Sequence, residues 1–271
     1  MLIILPPSET KRPPPENGSP LDLGRLSFPS LTAMRERVMG ALAATGQRPD
    51  ALRRLFVGPS LAAEVARNEH LRDLPTRPAV ETYAGPLYDG LDPASWARHA
   101  EKRAVRQLVI VSALCGALRP ADHIPPYRLH ICARLVGIDR MEPAWRTLLP
   151  PILTDVAAPR GPVLDLRSRG YQAVGRPTGL DDQTVTLRIR SSPGGPAHIG
   201  DVIAKRVRGE AASHLLSSGA DPDDPLGIAD LLAMRWSLEV DPPAGRSRTW
   251  TITLLKQIGK AEAPEGRDGG W

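Results

Sequence analysis

Cysteine is nearly absent: Cys115 and Cys132 are the two in 271 residues. Two thiols cannot make a disulfide framework, and neither has the CxxC or Cys/His spacing of a zinc site, so both are expected as buried thiols. Aromatic residues make up only 4% of the chain, with four Tyr and two Phe. With no exposed apolar stripe in view, that scarcity removes support for a protein-docking scaffold. No apolar run approaches the roughly 18 residues that span a bilayer, and the opening MLIILPP lacks the basic flank of an export signal. The cytoplasm is the expected compartment. There is no GxGxxG after a strand, no GxxxxGK[ST], no GxSxG and no HExxH, so the common nucleotide, hydrolase and zinc-protease classes lose support. No ligand cluster for a metal is visible, and no cofactor is implied.

What is present is ordinary globular usage, 41% hydrophobic and 24% charged, with a formal net charge of +5. Lysine is scarce: Lys11, Lys102, Lys205, Lys256 and Lys260 are five of 35 basic residues, and the other 30 are Arg. Arginine is the side chain that pairs bidentately with phosphate or carboxylate. The basic excess favours an anionic partner, although a coding preference for Arg accounts for the same count.

Hydrophobic patterning predicts a mixed α/β fold, a sheet flanked by helices. Residues 2–5 read as a buried strand stopped by Pro6 and Pro7. Residues 107–113 (QLVIVSA) form a near-continuous apolar run suited to a strand covered on both faces, and shorter strands are expected at 163–166, 184–189 and 250–255. Helical periodicity covers 31–44, 59–68 with a cap at Ser60, and 201–216 with Asp201 near its start. One domain is expected over residues 1–258, followed by a flexible tail, 259–271, rich in Gly and charge.

Three segments carry candidate chemistry. The loop after the first strand, Ser8-Glu9-Thr10-Lys11-Arg12, combines a hydroxyl, a carboxylate and two cations, a mixture able to bind phosphate or move protons. Residues 112–129 (SALCGALRPADHIPPYRL) place Arg119, Asp122, His123, Tyr127 and Arg128 on turns stiffened by three prolines, which pre-organises polar groups for a ligand. In AKRVRGE, Lys205 and Arg208 share a helical face while Gly209 allows close approach of a partner or another backbone. Residues 134–142 (RLVGIDRME) are similar to the turn of a helix-hairpin-helix element, with Asp139 in place of its second glycine.

Several of these blocks, in order and spacing, resemble the YaaA peroxide-stress family. Residues 1–10 (MLIILPPSET) resemble its MLILISPAKT, 88–91 (YDGL) a VYxGL block, 112–129 the block SGLYGVLRPLDxxxPYRL, 165–171 a block ending in Tyr, and 204–209 (AKRVRG) its AKKARG. The resemblance implies a cytoplasmic protein of unusual mixed α/β fold that binds DNA through a basic cleft and limits iron-dependent damage during hydrogen peroxide stress. It implies a cleft lined or supported by Arg119, Pro120, Tyr127, Arg128, Lys205, Arg208 and Gly209; from the loop after the first strand, Ser8 and Lys11 are expected as further contacts to DNA phosphates or to a small anionic ligand. Two positions depart from the pattern. Cys115 replaces Tyr, and Glu9 replaces Lys. A carboxylate at Glu9 opposite Lys205 suits acid/base catalysis on a nucleotide, nucleobase or other small anion.

Overall fold

In the computed structural model, which describes residues 1–196, 199–245 and 248–257, seven strands form one sheet. They are β1 (Leu2–Leu5), β3 (Leu108–Ser112), β4 (Gly116–Leu118), β6 (Val163–Asp165), β7 (Thr184–Ser191), β8 (Ser237–Asp241) and β9 (Trp250–Lys256), in the order β4-β3-β1-β6-β7-β9-β8. β1, β3, β6, β7 and β9 run parallel, and β4 and β8 close the two edges antiparallel. A separate antiparallel pair joins β2 (Arg77–Pro78) to β5 (His123–Ile124). All four residues of β1 and all five of β3 are buried, as strands covered by helices on both faces require. The fold class expected from the sequence is the one observed.

The chain runs outward from β1 to β3 and β4, then returns to the other side of β1 to lay down β6, β7, β9 and β8. The direction of strand order therefore reverses between β1 and β6. In open parallel sheets such a reversal leaves a crevice at the carboxyl ends of the two strands, because their following loops part to opposite sides. Register fixes the crevice: Ile4 pairs with Asp165, and the Leu166 amide donates to the Ile4 carbonyl at 2.9 Å.

Helix packing sets one wall. The helix Asp201–Ser217 crosses the helix Pro86–Leu91 so closely that a methyl group on Gly209 would lie 1.9 Å from the Leu87 carbonyl oxygen, and one on Gly90 would lie 2.1 Å from that of Arg206. The partner that Gly209 admits is thus a backbone of this chain. Another tie is Arg35, fully buried on the helix Thr32–Gly46, whose guanidinium donates to the Cys115, Ala117 and Ser27 carbonyls.

Some local expectations are corrected. Ser60 lies inside a single 3-10 turn, Pro59–Leu61, and makes no capping bond. Cys132 is exposed and only Cys115 is buried. The turn at Leu135–Ile138, with Gly137 at positive φ, precedes a short helix, Met141–Arg146. The backbone leading into that turn is irregular, so a helix-hairpin-helix does not form. The strand β4 and the helices Pro86–Leu91, Arg98–Gln107 and Leu149–Ala157 were not legible in the sequence. The tail expected at 259–271 lies outside the described residues. No described helix is long and apolar enough to cross a membrane.

Candidate functional site

Lys11 is held at the carboxyl end of β1 by its own loop. Its Nζ donates to the Ser8 carbonyl at 2.8 Å and to the Glu9 carbonyl at 3.2 Å, and it lies over two tyrosine rings, 4.1 Å from the Tyr127 centroid and 5.6 Å from that of Tyr83. Burial withdraws water from the ammonium and lowers its pKa from 10.5 to about 8, against the opposing pull of the Glu9 carboxylate.

Behind Lys11 the hydroxyls form a relay. Tyr83 and Tyr127 meet at 2.9 Å, and Tyr127 meets the Ser112 Oγ at 2.9 Å. Ser112 is the last residue of β3, and its Oγ accepts the amides of Leu114 and Cys115. Tyr88, from the helix Pro86–Leu91, stacks 5.2 Å from Tyr83 and donates to the Pro6 carbonyl. Desolvation raises the pKa of all four tyrosines, Tyr83, Tyr88, Tyr127 and Tyr171, so they serve as neutral hydroxyls. The whole tyrosine content of the chain thus collects at one end of one sheet.

Three polar atoms in this region are buried without a hydrogen-bond partner: Glu9 Oε2, Arg128 Nε and Tyr171 Oη. Arg128 is positioned by Asn68, which bonds its backbone amide and carbonyl, while its Nη1 donates to the Glu9 carbonyl at 3.0 Å and lies 3.7 Å from Glu64. Buried groups are nearly always satisfied, so a cluster of unmet ones converging from two loops and the short helix Arg169–Gln172 marks a place for a ligand.

A cavity of about 540 Å³ opens at the carboxyl end of β6, against the first half of β7 and the start of β9. Arg167, Arg169, Arg176, Arg188, Arg208 and Arg248 line it, with hydroxyls from Ser168, Thr186, Thr249 and Thr251. The lining carboxylates are Asp165 and Asp181. Asp165 is already neutralised: it takes two bonds of 2.8 Å from the Arg167 guanidinium, both side chains being buried. Arg167 also donates to the carbonyls of Tyr171 and Gly175, which fastens the loop after β6. Arg208, half-buried on the helix Asp201–Ser217, has its pKa lowered by desolvation. Six guanidinium groups against two carboxylates give the cavity a positive field that a buried anion relieves.

The residues singled out in the sequence divide into three sets. Ser8, Glu9, Lys11, Tyr127 and Arg128 come together at the ends of β1 and β3, and Arg208 lines the adjoining cavity. Arg119 does not join them. Because β4 runs antiparallel to β3, Arg119 lies at the amino end of β3, where its Nη1 donates to the Arg106 and Leu108 carbonyls at 3.0 Å and its guanidinium covers the Phe28 ring. Asp122 likewise builds the turn, accepting from Ser27 and from the Arg119 amide, and His123 is exposed. Lys205 is exposed and ion-paired one helical turn away with Asp201 at 2.8 Å. The cation at the Glu9 loop is Lys11, and no described contact joins Glu9 to Lys205.

Sequence reasoning missed Tyr83, Tyr88, Tyr171, Ser112 and the arginines of β7 and the loop after β6. The available signals were scarcity, four tyrosines in the chain, and the place of Tyr88, Tyr127 and Tyr171 in three of the family-like blocks. Among the described residues, no group of three or more His, Cys, Asp and Glu is placed to hold a metal ion.

Comparison with known proteins agrees with the blocks read above. The profile of a family described as Peroxide stress protein YaaA matches residues 1–237. A UPF0246 protein of Streptomyces coelicolor is 37% identical over 259 residues, covering 94% of this chain and 98% of its own. A UPF0246 protein of Corynebacterium efficiens is 38% identical over 256 residues, covering 94% and 100%.

Proposed function

From the premise that this chain belongs to the YaaA peroxide stress protein family, we propose that it acts in peroxide stress by binding DNA through phosphate contacts in the arginine-lined cavity. The observation that carries this reading is that, with Arg167 and Asp165 paired to each other, five further guanidinium groups surround one concave site that has a single other carboxylate, Asp181. Arginine forks match phosphate oxygens two at a time, and the Ser168 and Thr251 hydroxyls line the same cavity. Contacts of this kind read the backbone rather than the bases, and they release counterions.

Anisotropy of a labelled duplex tests the reading. Binding should weaken steeply between roughly 50 and 200 mM salt, and Arg188→Ala with Arg208→Ala should flatten the slope. A protein that fails to bind duplex at the lowest salt does not bind DNA through this cavity.

A second reading is favoured by Glu9 Oε2, buried and without a partner. It is catalysis on a nucleotide, nucleobase or other small anion, with Glu9 transferring a proton and Lys11 taking the place first expected for Lys205. Glu9→Gln separates the two readings, because it abolishes turnover in an enzyme and leaves phosphate binding unchanged or improved.

A further inference from the structure

We propose that Lys11 is the nucleophile of a lyase acting on the aldehyde of an abasic deoxyribose in DNA, with Glu9 as the base of the elimination step. The inference rests on the reading of the arginine-lined cavity as a DNA-phosphate site, and adds chemistry to it.

The surroundings of the Lys11 amine suit its neutral form. A neutral amine has two N–H donors and a lone pair, and two carbonyl acceptors, those of Ser8 and Glu9, meet its Nζ. Among the described residues no carboxylate is ion-paired with it. Burial lowers its pKa to about 8, so roughly a tenth of the molecules carry a free amine at neutral pH, against fewer than about one in a thousand for an ordinary lysine. Lys11 is half-buried, and the proposal has a sugar opened by base loss enter its loop to meet the amine. Lysines that form imines with carbonyl substrates are desolvated in this way.

The remaining parts are in place around it. Glu9 offers a buried carboxylate oxygen with no partner, an acceptor for a carbon-bound proton. Arg128 is bonded to the Glu9 carbonyl, and the arginine-lined cavity adjoins at the end of β6, where a departing phosphate would be received.

The reaction balances without oxidant or reductant. The Lys11 Nζ lone pair attacks the C1′ aldehyde, and the carbinolamine takes up one proton from water and loses its hydroxyl as water to give a protonated imine, the proton returning to water when the imine is later hydrolysed. Glu9 takes a C2′ proton, the electron pair moves into the C2′–C3′ bond, and the C3′–O bond breaks. The 3′ phosphate leaves as an anion. Water then hydrolyses the conjugated imine, freeing the unsaturated aldehyde and restoring the amine.

The test uses the full chain and a labelled duplex with one abasic site, made by excising a uracil. Sodium borohydride reduces an imine to a stable secondary amine, so the wild type should give a denaturation-resistant protein–DNA band, and peptide mapping should place the adduct on Lys11. Lys11→Arg should lose the band and the strand cleavage, while Lys102→Arg, at an exposed lysine, should keep both. Glu9→Gln should still trap but cleave about 100-fold more slowly. Mapping on the wild type keeps the test valid should Lys11→Arg fail to fold. An adduct on any other amine, including the Met1 amino group, overturns the proposal, as does a wild type that binds the duplex yet neither traps nor cleaves. Absence of binding to both intact and abasic duplex at low salt removes the DNA reading itself and this inference with it.

Discussion

The Nζ of Lys11 stands 4.1 Å from the centre of the Tyr127 ring, and the hydroxyl of that ring is bonded to Ser112 at the end of β3. A cation so placed makes stability depend on pH. Burial lowers the folded-state pKa from 10.5 to about 8, so the unfolded chain binds the extra proton between those values and stability gained from Lys11 rises with pH across that window. The groups acting on it are Glu9, Arg128, Glu64 and Cys115. Cys115 opposes the trend above pH 9, because burial pushes its thiol from 9.0 up to about 12. Comparing wild type with Lys11→Met cancels that effect. Their difference in unfolding free energy should shift by up to about 3 kcal/mol in favour of the wild type from pH 7 to pH 10, and a flat difference in urea titrations contradicts the burial of a titrating amine.

Asp165 and Arg167 form a buried pair at the floor of the cavity. Asp165→Asn leaves a guanidinium in a dry site without its counter-charge, at a cost of about 3–5 kcal/mol. The urea midpoint should fall accordingly. A loss below about 1 kcal/mol would show that water reaches the pair.

Two glycine substitutions should have opposite signs. Gly209→Ala drives a methyl group into the Leu87 carbonyl, and overpacking of that kind costs about 1–3 kcal/mol or more. Gly40, exposed on the helix Thr32–Gly46, has nothing within 4 Å of the added carbon. Gly40→Ala should stabilise by about 0.5–1 kcal/mol, because alanine loses less conformational freedom in a helix. Thermal unfolding of both variants checks the pair.

Arg208 and Arg119 should separate binding from scaffold. Arg208→Ala is expected to weaken duplex binding and lower the salt slope by about one unit. Arg119→Ala should leave the slope unchanged while lowering the melting temperature, because its guanidinium caps carbonyls at the far end of β3. Equal effects on binding would place both in the same site.

Sequence alone determined the strands β1, β3, β6, β7 and β9 and the helix Asp201–Ser217, because buried strands such as β1 and β3 demand continuous apolar runs, a half-buried strand such as β7 shows alternation, and a helix shows its period locally. It also carried the family blocks and picked out Ser8, Glu9, Lys11, Tyr127 and Arg128, since proline-stiffened polar loops at strand ends stand out from their neighbours. Only the tertiary structure decided which of these meet. The antiparallel turn into β4 carries Arg119 to the opposite end of the sheet from Tyr127, eight residues later in the chain. The reversal of strand order between β1 and β6 brings Tyr171 and the arginines of the later strands beside a loop more than 150 residues earlier. Such long-range placements depend on register and strand order, which no local pattern encodes.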